Sequence, residues 1–412
     1  MTTKLSIHSC ATIFAAFSAG ACFTGSALAA ANTASIDNIT AATNHATIQD
    51  AINNASAGDV IEIGAGIVCE SGIMGDRSLT IRGQGMNATT IDAESNAGVL
   101  SWTGDLLTLE DLTLTNGANA AFGGGLNVNA NVDTVDISGV RFLNNSGDAG
   151  GGLFCNGGQD PLRTTRIDGC EFIGNTATGA GGFAGLGGGI LFAFQNDTAL
   201  VTNTLFQENM GGVQASGIQV FAQFMTSLTL TNCTFVENPL SANGNNQLIF
   251  VQSGSGVDTD LQINNCVFDD NGSNVIRDNN TQGSIRNSVL GPATTITGII
   301  DAGGNTTTAP TFENAAGDDF RLAAGSSGID IGDFDLYTAV GGGIFDLAGA
   351  DRTQNDAGTA DSGSGVFTHL DAGAYEFGGC TSSACAADIN GDGVIDTADL
   401  GILIGVFGSN CP

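Results

Sequence analysis

The chain has 412 residues, among them 62 glycines, 10 cysteines and only 5 prolines, and its 42% apolar content suffices for a long core. Charged residues make up just 13%, which excludes a disordered polyelectrolyte, while 42 acids against 10 bases leave a net charge of −32. Such a surface repels nucleic acid and anionic membranes and suits divalent cations or a salty exterior, although acidity for solubility alone accounts for it equally well.

Residues 1–29 read as a secretory signal. Lys4 precedes the apolar run Ala11-Thr-Ile-Phe-Ala-Ala-Phe17, and Ala27-Leu-Ala29 marks the expected cut. The run is too short to span a bilayer permanently, and no other segment is long and apolar enough to be transmembrane. Cys22 follows Ala19-Gly-Ala21, a weak lipobox without its usual leucine, so a lipid anchor stays an open alternative. Lys4 is the only lysine; removing its +1 with the leader takes −32 to −33 and leaves nine arginines as the only basic side chains besides histidine. The expected location is secreted, extracellular or at the outer cell surface, with no nucleic-acid partner.

Residues 30–45 are rich in Ala, Asn and Thr and are expected to be irregular. Thr47-Ile-Gln-Asp-Ala-Ile52 reads as a short amphipathic helix, capped by Thr47 or Asn44, that covers the open first coil of a strand stack. Asp59-Val-Ile-Glu-Ile63 and Ser78-Leu-Thr-Ile-Arg82 are the first strands.

A repeat then organises the chain. In Leu228-Thr-Leu-Thr-Asn-Cys-Thr-Phe-Val-Glu-Asn238 apolar residues alternate with threonine, Asn232 breaks the alternation, and Cys233 and Phe235 resume it. Asparagine tolerates the left-handed conformation that a sharp corner needs. The same text returns around Phe142, Phe172, Phe206 and Phe268, so that successive phenylalanines lie 30, 34, 29 and 33 residues apart. Glycine runs at Gly123-Gly-Gly-Leu126, Gly150-Gly-Gly-Leu153 and Gly187-Gly-Gly-Ile190 recur between them and fit a tight entry into the next strand. A period of this size built from short strands signals a solenoid, and the fold class is read as all-β: a right-handed parallel β-helix over residues 30–319, with an amino-terminal cap helix. The longer stretch 176–187 reads as a loop leaving the stack, which is either a cleft wall or a tolerated surface insertion.

The paired Gly-Gly-Leu/Ile and Phe-x-x-Asn elements resemble the repeats of polymorphic outer-membrane-protein passenger domains and related secreted β-helix proteins of the pectin-lyase-like superfold. That resemblance implies architecture. It does not imply an activity, because the superfold hosts lyases, hydrolases, esterases, adhesins and inert scaffolds. Farther on, Ser326-Ser-Gly-Ile-Asp-Ile-Gly-Asp333, Asp346-Leu-Ala-Gly349, Arg352 and Leu370-Asp-Ala-Gly-Ala-Tyr-Glu376 are similar to a terminal module of secreted β-helix proteins, with Asp351 inserted before Arg352. Residues 320–377 are accordingly read as the carboxy-terminal cap of the solenoid, without chemistry of its own.

Residues 378–412 hold the sharpest local motif, Asp388-Ile-Asn-Gly-Asp-Gly-Val-Ile-Asp-Thr-Ala-Asp399. Asp388, Asn390, Asp392, Asp396 and Asp399 fall at the oxygen-ligand positions of an EF-hand-type loop, Gly393 at its sharp turn and the Val394 carbonyl at its backbone ligand, so Ca2+ is the expected cofactor. Asp at the last position and the exit segment Leu400-Gly-Ile-Leu-Ile404 are similar to one half of a type I dockerin. That resemblance implies a cohesin-like or cell-surface partner; a type I dockerin carries two such loops, and the sequence holds one. Cys385 and Cys411 flank the loop and could form a disulfide, with Cys380 as the competing partner; the pairings of Cys69 and Cys155 stay open. Cys170, Cys233 and Cys266 share one column of the repeat with Val140, Thr204 and Ser288, which reads as small-residue packing.

Sugar hydrolases of the superfold carry a Gly-His-Gly, paired aspartates and a basic Arg-x-Lys. Here His45 and His369 lie in no such context. Lyase-like carboxylate pairs exist at Asp269-Asp270 near Arg277 and at Glu110-Asp111, all at corners where solvated acids are expected. No catalytic residue is assigned. The expected function is a non-enzymatic β-helix for adhesion or polysaccharide contact with a calcium-binding anchoring tail. The alternative is a polysaccharide lyase or glycoside hydrolase targeted by that tail.

Overall fold

The computed structural model describes residues 32–378, apart from 158–162, 180–184, 194–197, 223–225, 240–246, 254–258, 271–274, 280 and 357. The chain is all-β, built of long parallel sheets in which each strand pairs with its counterpart about one repeat away, an arrangement compatible with a β-helix solenoid. Among the described residues no helix is long and apolar enough to cross a membrane.

The strand Thr134–Leu143 shows how one repeat is drawn. Its first half pairs in parallel with Thr164–Asp168 and its second half with Glu171–Ile173, and the two halves meet at Gly139, whose φ is +62°. The corner recurs at Asp111, Gly169, Asn203, Asn232, Asn265 and Asn287, all left-handed, with φ of +54° at Asn232. Side chains small enough or polar enough to tolerate that region are what the repeat supplies there. A further parallel sheet runs through Leu126–Val128, Leu153–Asn156, Ile190–Ala193, Ile218–Ala222 and Gln247–Ser253. Gly150 leads into it at φ +62°, where a Cβ would sit 2.4 Å from the Leu153 carbonyl oxygen, so no larger residue fits.

Period-two alternation puts one face of every strand inside. Leu109, Ile137, Ile167, Val201, Leu230, Ile263 and Ile285 are cross-strand neighbours in one register and all fully buried. Phe142, Phe172, Phe206, Phe235 and Phe268 form a second interior column, their rings stacked with centroids 4.6, 5.1, 4.6 and 5.1 Å apart. Cys170, Cys233 and Cys266 are buried thiols in the core, and burial pushes Cys170 and Cys266 up, away from the reactive thiolate.

A ladder of side-chain amides runs beside the rings. Asn145 donates to Asn175 (3.1 Å), Asn175 to Asn209 (3.0 Å), Asn209 to Asn238 (3.2 Å) and Asn238 to the Asp270 carboxylate (3.1 Å). Each Nδ2 also reaches a main-chain carbonyl of the preceding coil, Leu114, Phe142, Phe172 or Phe206 in turn. Buried amides so saturated cost little and fix the register of coil on coil.

The helix α1 (Ile48–Asn54) begins at Thr47, whose hydroxyl accepts the Asp50 N–H, and Ile48, Ala51 and Ile52 are buried. At the other end of the described chain, residues 326–376 lie along the flank of the coils, against the left-handed corners. They include a second short helix, α2 (Phe334–Ala339).

Candidate functional site: a groove between coil corners and the returning segment

The corner asparagines hold the returning segment with their own amides. Asn203 donates to the Tyr337 hydroxyl (2.9 Å) and accepts from Arg352 Nη2 (2.8 Å). Asn232 donates to the Asp371 carbonyl (2.9 Å), Asn265 exchanges bonds with the main chain of Asp333 (3.0 and 2.8 Å), and Asn287 donates to the Ile331 carbonyl (2.8 Å). Arg352 is fully buried, with Nη1 3.2 Å from Glu376 and Nη2 also on the Gly373 carbonyl. Asp346 closes the cluster: it accepts from the Ala350 and Glu376 amides, both at 2.7 Å. Asp346, Arg352 and Glu376 are therefore one buried knot, and the turn 346–349 it stiffens, with Gly349 exposed, faces the coils.

That turn forms one wall of a cavity of about 450 Å³ lined by Gln84–Ala88, Asp111, Ser138, Asp168 and Asp346–Gly349, with Gly139 and Gly169 at its floor. A second cavity of about 320 Å³ is lined by Asp136, Arg166, Leu200, Thr202 and Gly341, and it shares Ser138 and Asp168 with the first. The two adjoin across neighbouring strands and are together termed the groove. The outward column Ser138, Asp168 and Thr202 is a register row, as are Asp136, Arg166 and Leu200. Asp168 is fixed by the Thr202 hydroxyl and by the Asn203 amide (3.0 Å), and Arg166 reaches the Val340 carbonyl across the groove (3.2 Å). Arg166 is exposed and makes no ion pair with a described residue, unlike Arg77, Arg82, Arg141, Arg321 and Arg352. Arg141 pairs with Glu171 near the rim and holds Asn87 (2.9 Å). The lining offers carboxylate, hydroxyl, amide and guanidinium groups at fixed positions, the set that recognises hydroxyl-rich ligands.

The acid pairs suggested by the sequence are not brought together with this groove, except Asp111. Asp270 is a correction to the expectation of a solvated corner acid: it is buried, because it takes an asparagine's place at the end of the amide ladder and accepts from both the main-chain and side-chain nitrogens of Asn238. Burial pushes its carboxyl up to about 7; the Asn238 bonds work against that shift and the charges of Asp269 and Glu237 add to it. His45 bonds Asp50 and Thr43, and His369 Nε2 lies 3.0 Å from the Thr353 carbonyl, neither in the groove. Cys69 is disulfide-bonded, and Cys155 is buried. The calcium loop (Asp388, Asn390, Asp392, Val394, Asp396, Asp399), the Cys385 and Cys411 pair and the signal all lie outside the described residues. Among the described residues, no three His, Cys, Asp or Glu side chains converge as a ready-made metal centre.

The groove escapes sequence reasoning because its walls are 205 residues (Asp136 to Gly341) and 265 residues (Gln84 to Gly349) apart. The available signal is the spacing of Asp346, Gly349, Arg352 and Glu376, which marks the turn but not the coil it meets. Neither a protein-family model nor a curated protein matches the chain.

Proposed function

We propose that this is a secreted or surface-held β-helix protein that contacts polysaccharide along the groove, without turnover, and is anchored through a calcium-binding tail. The observation that carries it is that two adjoining cavities share Ser138 and Asp168 in their linings, an extended hydrogen-bonding surface better suited to a chain of sugars than to one small molecule. In this reading the coils are a right-handed parallel β-helix of the pectin-lyase-like kind, α1 covers their first turn, and the dockerin-like loop 388–399 binds Ca2+ and docks to a cohesin-like or surface partner. The leader and the flanking Cys385 and Cys411 fit the same exported setting.

A lyase or hydrolase is the second reading. It draws on one feature, the Arg166 guanidinium beside Asp136 and Asp168, which no carboxylate among the described residues neutralises by an ion pair. The two readings separate in a screen of the mature protein against uronate-containing and neutral polysaccharides, with and without calcium, recording binding together with reducing-end and unsaturated-product formation. Binding without products is expected, and Arg166→Ala should weaken it about tenfold, a loss of about 1.4 kcal/mol, while the thermal midpoint stays put. Product formation would make the protein an enzyme; no binding to any glycan would remove the groove from consideration.

A further inference from the structure

The two adjoining cavities carry a charge pattern that discriminates among glycans. Four carboxylates line them, Asp111, Asp136, Asp168 and Asp346, against one guanidinium, Arg166, a formal charge of −3 (four negative, one positive). Strand register orders these charges along the coil wall. Asp136 stands beside Arg166 of the next strand, and Ser138 beside Asp168. On the preceding strand Ser138 has Glu110 for its neighbour, which sets Asp111 at the corner just past it. Asp111 and Asp168 therefore flank Ser138 from successive coils, their main chains about 10 Å apart at about 4.8 Å per strand.

The carboxylates face the cavities with little to neutralise them. Asp111 and Asp136 are exposed. The floor makes room for Asp111, because a Cβ at Gly139 would sit 2.5 Å from Asp111 Oδ1. Asp168 takes its bonds from Thr202 and Asn203 on the same oxygen, Oδ1. Asp346 is buried and accepts two main-chain amides, both uncharged donors.

The rest of the chain has no cation to add. Its basic side chains other than histidine are nine arginines and Lys4, and every arginine falls within the described residues. Arg82 and Arg141, near the lining in sequence, are paired with Glu62 and Glu171. Arg163 is buried and donates to the Val132, Asn156 and Asn129 carbonyls. Arg166 itself lies against the far wall: it holds the Val340 carbonyl, and a Cβ at Gly341 would meet its Nη1 at 3.0 Å.

We infer, on the basis of the glycan reading, that the groove takes a chain of uncharged sugars and rejects polyuronates. Sugar hydroxyls can donate to Asp111, Asp136 and Asp168 and accept from Arg166, a match that needs no counter-ion. A carboxylate on each sugar would instead meet three acids along the coil wall with one guanidinium to answer them. Like charges brought together across an interface are penalised, and the net charge of −32 already opposes the approach of a polyanion.

The test pairs soluble glucan, mannan and galactan with the same polymers oxidised at their primary alcohols to uronates, titrated against the full mature chain in chelator-treated buffer. The uncharged member of a pair should bind, and its oxidised form about tenfold more weakly at about 10 mM salt. That gap should shrink to about threefold or less at about 1 M salt, where the screening length has fallen from about 30 Å to about 3 Å. Asp111→Asn with Asp136→Asn should narrow the low-salt gap about threefold, since asparagine keeps the left-handed corner while removing the charge. The same two-charge change at Asp301→Asn and Glu313→Gln, outside the groove lining, should leave it unchanged. Equal or tighter binding of the oxidised forms overturns the inference and leaves the groove reading standing. So does a gap that the groove variant does not move, or that the outside variant moves as far. Should Asp111→Asn disturb the fold by circular dichroism, Asp136→Asn alone decides, an unmoved gap again counting against the inference. Binding of neither member of any pair would remove the glycan reading itself, and the inference with it.

Discussion

Each ring of the phenylalanine column touches the coil above and the coil below. Phe235, fully buried between Phe206 and Phe268, has no room to be replaced by solvent. Phe235→Ala should cost about 3–5 kcal/mol in denaturant unfolding, the range for large-to-small changes in a packed core. Asp270 works in the other direction. Its folded carboxyl titrates near 7 against about 4 in an unfolded chain, so the folded state holds a proton that the unfolded state has lost. Its destabilising contribution is complete above pH 7 and fades as the pH falls toward 4. Asp270→Asn, which restores the amide of the ladder, should raise stability at pH 8 by about 1–3 kcal/mol and flatten the profile below it, read from unfolding midpoints across pH 4–8. The phenylalanines were legible in the sequence because alternation fixes which face is inside. Asp270 was not: an acid at a corner reads as solvated until the asparagine one coil earlier is seen to donate to it.

Among the elements, the corners do two things at once. A left-handed asparagine turns the strand, and the same side chain then carries the returning segment, as at Asn203, Asn232, Asn265 and Asn287. The backbone half of that was legible, since asparagine tolerates the region that the turn demands. The docking half was not, because nothing local says what such an amide meets 44 to 149 residues later. Arg352 is where the two halves join. Removing it leaves Glu376 buried without its cation and Asn203 without its donor, and breaking a buried pair from one side costs about 3–5 kcal/mol. Arg352→Ala should therefore release residues 320–377 to limited proteolysis ahead of the coils. Coil and segment lost together would show that the two do not unfold separately.

The whole molecule is strongly acidic, and its calcium expectation is read from the spacing of the tail loop. The tail loop Asp388–Asp399 lies outside the described residues and is proposed on its spacing alone, with all its oxygen positions within twelve residues. Asp392→Ala should abolish calcium binding by the tail and leave the far-ultraviolet circular dichroism of the coils unchanged; loss of that signal would mean that tail and coils are one cooperative unit.

One segment bonding to Asn203, Asn232, Asn265 and Asn287 in succession makes the protein measure its own length. A solenoid bound only by nearest-neighbour contacts can gain or lose a repeat almost anywhere. Here the 326–376 stretch acts as a gauge: a repeat inserted between Phe206 and Phe268 would put its four contacts out of phase, whereas one inserted before Leu106 would leave them untouched. An added repeat is thereby accommodated best toward the amino-terminal end, where the stack can lengthen without disturbing those four contacts.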